Sequence, residues 1–295
     1  MASAEQTNSG VLASGPPRVF PWLAIAWFGF LLVAAYAPVL SRLVRQWADD
    51  PDMGHGFFVP AVAGYIIWQK RGELLAIPAK GTWWGLVPIL WGTLQLAVAT
   101  LGAELFLART AFLISLGGAI LLVAGAAMLR ALVFPLLLML FMVPIPSILF
   151  SQITFPLQLL ASSVAEKVLS LAGVPVFREG NILELPSQRL SVVEACSGIR
   201  SLLSLSFLAL VYAHFFDGRG WMKWVLLAAA VPIAIIANAG RVTMTGLLGE
   251  YNRELAEGFF HAAEGWLVFM AALVMLVLVH QFISRAYTAA HSREE

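Results

Sequence analysis

The sequence predicts an all-α fold: a polytopic integral membrane bundle of about eight transmembrane helices, with a small extracytoplasmic helix and hairpin segment. Three observations carry that expectation. Of 295 residues, 60% are apolar and 12% charged, against about 45–50% and about 25% in a soluble domain. Mean hydropathy is +0.84. The apolar residues are also gathered into long runs with short polar connectors, and about 20 such residues in a helix cross a bilayer core.

Taken in order, the runs are 20–40, 56–69, 82–102, 105–128, 131–150, 198–216, 221–239 and 262–284. Residues 1–18 are small and polar, without a basic start or a cleavage site, and read as a cytoplasmic tail. The membrane domain covers 19–285, and 286–295 form a second cytoplasmic tail. The run at 56–69 is short and contains Pro60. The runs at 105–128 and 131–150 are separated by little more than Arg130.

Short connectors holding Lys70, Arg71 and Lys80, then Arg130, then Arg219 and Lys223, then Arg285 fall on one side, which the positive-inside rule makes cytoplasmic. Asp49, Asp50, Asp52, Glu104 and the insertion 151–197 fall on the other. Tryptophans such as Trp22, Trp68, Trp84, Trp221 and Trp266 cluster near span ends, where an indole sits at headgroup level.

Ahead of the insertion, Pro144 and Pro146 end the fifth span. Phe155, Leu159, Leu160, Val164, Val168 and Leu171 then recur at helical spacing among polar residues, the pattern of an amphipathic helix on the membrane surface. Residues 176–193 alternate apolar and polar around Gly180-Asn181 and Pro186-Ser187, a hairpin signature.

Composition excludes several chemistries. A net charge of +1 leaves no basic stripe for nucleic acid. One cysteine, Cys196, excludes an intrachain disulfide, a CxxC pair and a multi-cysteine zinc site. HExxH, GxSxG, Gly-x-Gly-Asp and phosphate-loop motifs are all absent, so neither a metal nor a cofactor is expected.

The polar residues that remain lie at the mouths of the last three spans. Cys196 opens the sixth, where free backbone N–H groups and the helix dipole favour a thiolate, with Arg200 one turn on. Arg241 follows Asn238-Ala239-Gly240 at the outer end of the seventh, and His261 opens the eighth. Singly, each has a plainer role: a buried thiol as a small hydrophobe, an arginine reaching for headgroups, an interfacial histidine. Together they form an acyl-transfer set of nucleophile, proton carrier and fixed cation for an oxyanion. His55, in Gly54-His55-Gly56, faces the same side and ranks below His261. His214, His280 and His291 lie toward the other face and read as structural.

Glu194-Ala195-Cys196-Ser197-Gly198-Ile199-Arg200 resembles the signature of the exosortase/archaeosortase family. Asn238-Ala239-Gly240-Arg241 resembles its Asn-x-x-Arg motif, and His261 with Gly265-Trp266 its third. Weaker echoes are Gly54-His55-Gly56-Phe57 and Pro144-Ile145-Pro146, so the similarity runs from about residue 50 to 285.

The resemblance implies a cysteine protease and transpeptidase with eight spans in the bacterial inner membrane, its site on the periplasmic face. Its substrates would be membrane-anchored exported proteins that end in a sorting signal: a short PEP-CTERM-like motif, one transmembrane helix and a basic cluster. Cleavage would be followed by transfer of the new C-terminus to an unidentified surface acceptor, often in organisms making exopolysaccharide. The family's catalytic roles carry over to Cys196, Arg241 and His261, with Glu194, Ser197, Arg200, Asn238 and His55 in support. Two rival readings are a non-enzymatic polysaccharide export component, which calls for charges inside the spans, and a hydrolytic membrane protease without transfer.

Overall fold

The structure, a computed structural model, describes residues 21–192, 199–251 and 259–291. It is an all-α membrane bundle. Among the described residues, six helices are long and apolar enough to cross a bilayer, and two further apolar stretches, Val133–Met142 and Ser201–Phe216, are shorter. Large apolar side chains face outward all around the bundle, among them Leu23, Phe30, Trp84, Leu90 and Phe282. In water so large an apolar surface would be untenable; against lipid tails it carries no penalty.

Helix α1 (Trp22–Asp49) ends where the Asp50 carboxylate accepts from the Asp52 N–H at 2.9 Å and starts the 3₁₀ turn Pro51–Phe57. That turn and α2 (Phe58–Gln69) together replace the predicted second span. Twelve residues of α-helix rise only about 18 Å, so α2 alone does not cover a bilayer core. Helix α3 (Arg71–Ala76) leads through a 3₁₀ turn at Trp83–Gly85 into α4 (Leu86–Leu101), which turns back into α5 (Leu105–Val123). The Glu104 carboxylate caps α5 by accepting from Leu107 N–H at 2.8 Å. Small residues let α4 and α5 close on each other: a Cβ at Gly92 would strike Ser115, and one at Gly85 the backbone around Gly118 and Leu122.

The predicted fifth span is divided. Helices α6 (Ala126–Ala131) and α7 (Val133–Leu138) pass into a 3₁₀ turn at Met139–Met142, and Pro144 and Pro146 separate this from α8 (Ser147–Leu171). Helix α8 differs from the expected surface helix. It buries Thr154, Gln158, Ala161, Ser162, Ala165 and Leu169 and is itself long enough to span.

Three strands follow: β1 (Phe177–Glu179), β2 (Ile182–Glu184) and β3 (Arg189–Ser191), an antiparallel meander where a hairpin was expected. Gly180, at φ 63°, supplies the left-handed turn between the first two. Helices α9 (Ile199–Phe216), α10 (Gly220–Tyr251) and α11 (Phe259–His291) complete the chain. Helix α8 runs parallel to α10: Thr154 and Gln158 share a recess with Ala234 and Asn238, and Leu169 meets Gly246.

The two larger apolar cores among the described residues lie within the bundle. One joins α1, α2, α5 and α7 to α9 through Leu43, Val59, Phe112, Leu138 and Phe207. The other joins α9, α10 and α11 through Leu205, Ala209, Leu226, Ala230 and Leu276. At the Asp217 end these last three helices are tied by a polar cluster. His280 Nε2 lies 2.9 Å from Asp217 Oδ2, and Tyr212 Oη lies 3.0 Å from His280 Nδ1. A carboxylate only accepts, so His280 donates from Nε2 to Asp217. Arg219 pairs with both Asp217 oxygens and reaches Ser284 Oγ at 2.6 Å. These bonds hold the Asp217 carboxyl well below the usual carboxylate range, against the opposing effect of its burial.

Candidate functional site

The sequence places Arg241 at the end of a span closing near residue 239, but α10 continues three turns further, to Tyr251. The N-terminal part of α10 buries Met222, Leu226, Ala230, Ile233, Ala234 and Ala237, an apolar stripe at helical spacing. From Asn238 onward that stripe becomes polar and small: Asn238, Thr243, Thr245, Gly246 and Gly249 are all buried. Thr243 and Thr245 satisfy their hydroxyls on their own helix, donating to the carbonyls of Ala239 at 2.8 Å and Arg241 at 3.0 Å.

Arg241 projects from α10 onto α11. An ideal Cβ at Gly265 would lie 3.4 Å from the guanidinium carbon and from Nη2, and 3.6 Å from Nη1. The cation therefore rests on a stretch of helix that carries no side chain. Its Nε is buried and without a hydrogen-bond partner among the described residues. His261 lies four residues before Gly265 on α11, one turn or about 6 Å along the axis. The side chains of His261 and Arg200 lie outside the described residues, although both positions are helical.

Cys196, Glu194 and Ser197 fall outside the described residues as well. The described chain stops at Val192 and resumes at Ile199, and the Val192 flank is well anchored. Val192 is fully buried in a cluster with Leu183, Leu190 and Val242, the neighbour of Arg241. The meander carrying it is fixed to the C-terminal turns of α10. Glu250 Oε1 accepts from Ser187 N–H at 2.9 Å and from its hydroxyl at 2.6 Å, and Gln188 packs on Gly249. Glu250, which the sequence assigns to a loop, is thus a helical residue that holds the meander down.

Asn238, one turn before Arg241, is 8% exposed and borders the recess with Gln158 and Thr154. Gln158 Oε1 accepts from Asn181 Nδ2 at 3.1 Å, which couples that recess to the meander. His55 is held elsewhere, in the 3₁₀ turn after α1, with Nε2 3.1 Å from the Phe141 carbonyl. Burial is the chief cause of a depressed imidazole pKa there, so at neutral pH His55 is uncharged and donates to that carbonyl. The turn packs against α9, the helix that follows Cys196. Arg241 therefore faces α11 and Asn238 the recess against α8, whereas the contact seen for His55 is to the 3₁₀ turn at Met139–Met142.

Two polar sites escape the sequence reading. Arg109, in α5, is 3% exposed and donates to Gln46 Oε1 at 2.7 Å; a lone cation in an apolar run is the signal that finds it. The Asp217 cluster gives no local motif, because its members come from α9, the connector at 217–219 and α11. Among the described residues no group of histidine, cysteine and carboxylate side chains could hold a metal.

Comparison with known proteins gives one match. A family described as transmembrane exosortase aligns with residues 47–278. No curated protein and no solved structure matches. The matched stretch takes in the turn of His55, the segment around Cys196, all of α10 and the start of α11, and extends over most of the sequence. The chain belongs to the transmembrane exosortase family.

Proposed function

We propose that this protein is a membrane-embedded cysteine transpeptidase. It cleaves the C-terminal sorting signal of exported, membrane-anchored proteins, a PEP-CTERM-like motif followed by a transmembrane helix, and passes the new C-terminus to a surface acceptor. It acts in the bacterial inner membrane with its site on the periplasmic face. The observation that carries this reading is the packing of the Arg241 guanidinium on Gly265, one turn from His261, in a chain of the exosortase family.

The chemistry runs in two halves. The Cys196 thiolate attacks the scissile carbonyl, and Arg241 faces the oxyanion that forms. Protonated His261 gives its proton to the departing amine, so the C–N bond breaks and a thioester on Cys196 remains. Neutral His261 then takes a proton from the acceptor nucleophile, which attacks the thioester and releases the thiolate. Glu194, Ser197, Arg200 and Asn238 shape the site around these steps, and His55 braces the neighbouring turn. Among the described residues nothing accepts from the Arg241 Nε, which suits a donor aimed at an oxyanion.

Replacing Cys196 with Ala abolishes processing of a co-expressed substrate while the protein still inserts in the membrane. Processing that persists in this variant overturns the nucleophile. Mass spectrometry of the processed substrate separates transfer from hydrolysis: an adduct on the new C-terminus supports transfer, and a free carboxylate makes the protein a protease.

A further inference from the structure

A second cavity lies at the opposite end of the bundle from Arg241. Between α1, α2 and α5 a cleft of about 550 Å³ opens to the outside, within the size range of small-molecule sites. Its walls are apolar, and its floor is open at Gly29 and Gly64, above whose Cα atoms there is nothing within 4 Å. Trp22, Trp68 and Arg71 line one end. The Arg71 guanidinium lies 4.5 Å above the Trp68 ring and donates to the Trp68 carbonyl at 3.0 Å. It is exposed, and among the described residues no carboxylate pairs with it. Lys70 precedes it, and the backbone of Lys80 bonds to Ala124, another residue of the cleft wall.

We infer that this cleft is a binding site for an anionic phospholipid, with an acyl chain between α1, α2 and α5 and the phosphate on Arg71. The shape is that of a lipid: apolar along its length, with two indoles at headgroup depth and a cation at the end. A guanidinium also matches a phosphate with two parallel N–H donors, which an ammonium does not. Charge selects the occupant. A transmembrane segment ending in basic residues would meet Lys70 and Arg71 as like charges, whereas an anionic headgroup meets them as partners. This site is independent of the proposed transpeptidase chemistry, and its test reads lipid binding rather than activity.

The test uses the full chain purified in neutral detergent, with native mass spectrometry and thermal unfolding in the presence of phosphatidylglycerol or phosphatidylcholine. The expected result is retention of phosphatidylglycerol in preference to phosphatidylcholine, with a rise in the unfolding temperature. Arg71→Ala weakens the phosphatidylglycerol adduct about five-fold, the effect of one basic residue at a charged surface. Gly64→Leu fills the open floor without a clash and excludes both lipids, leaving the lipid-free unfolding temperature no lower. Equal retention of the two lipids by the unaltered protein, or an Arg71→Ala variant that holds phosphatidylglycerol undiminished, overturns the proposal. So does a lipid-free dimer that Gly64→Leu dissociates, since the cleft would then be a contact between two copies.

Discussion

Arg241 packs directly on Gly265: the guanidinium carbon of one lies 3.4 Å from the point where a side chain on the other would begin. A methyl group at that distance makes ordinary van der Waals contact, and a larger side chain must displace the cation. Gly265→Ala is therefore expected to keep most of the processing activity. Gly265→Leu moves the guanidinium by an ångström or more, a displacement that costs roughly 100-fold in rate at a positioned catalytic group. Substrate turnover in membranes, with each variant at equal abundance, checks both. Equal activity in the two variants would remove Arg241 from the reaction.

The bond from Ser187 to Glu250 predicts a coupling between the meander and catalysis. Glu250 accepts two hydrogen bonds from one residue, and bonds to a charged group are worth about 1.5–3 kcal/mol each when buried. The site is only part-buried, so Glu250→Ala should cost about 1–2 kcal/mol locally. Faster proteolysis within β1–β3 would report the release. Processing should fall in the same variant, because Val192 holds the chain that leads to Cys196.

At the other end of the bundle, Asp217→Ala should destabilise the fold by about 3 kcal/mol by leaving His280 and Arg219 without their shared acceptor. Arg219 is partly exposed, so the low end of the buried-pair range applies. The folded-state pKa of Asp217 is depressed. Its contribution is therefore fully present above the unfolded value of about 3.9 and is lost as pH falls below it. Thermal unfolding between pH 7 and pH 3 should show acid destabilisation in the unaltered protein and less in Asp217→Ala. Processing at low temperature should survive, since the cluster lies about 30 Å along α10 from Arg241.

Much of this architecture is legible without coordinates. Apolar run length locates α1, α4, α5, α10 and α11, because lipid imposes one period and one length on any spanning helix. The same rule misleads at 131–150, where Pro144 and Pro146 split an apolar stretch into the end of one element and the start of another. It also misplaces the helix at 147–171. Thr154, Gln158 and Ser162 look like a solvated face but are buried against α10 and the meander. Polar spacing shows which residues share a helix face, and not what that face meets.

The site divides along the same line. The motifs containing Asn238, Arg241 and His261 are local, so the sequence displays them. That Arg241 packs on Gly265, or that Glu250 belongs to a helix and fastens Ser187, depends on residues far apart in the chain. Arg109 and Gln46, 63 positions apart, pair for the same non-local reason.

The length of α10 has a consequence for substrate choice. Its 32 residues measure about 48 Å, against about 30 Å of hydrocarbon. Arg241 stands 21 residues, or about 32 Å, above Gly220, one bilayer thickness from the opposite surface. The helix works as a gauge rod under the proposed reaction: a sorting signal whose own anchor is a turn too long or too short brings its scissile bond to the wrong height. Anchor length would then be screened before any side chain of the motif is read.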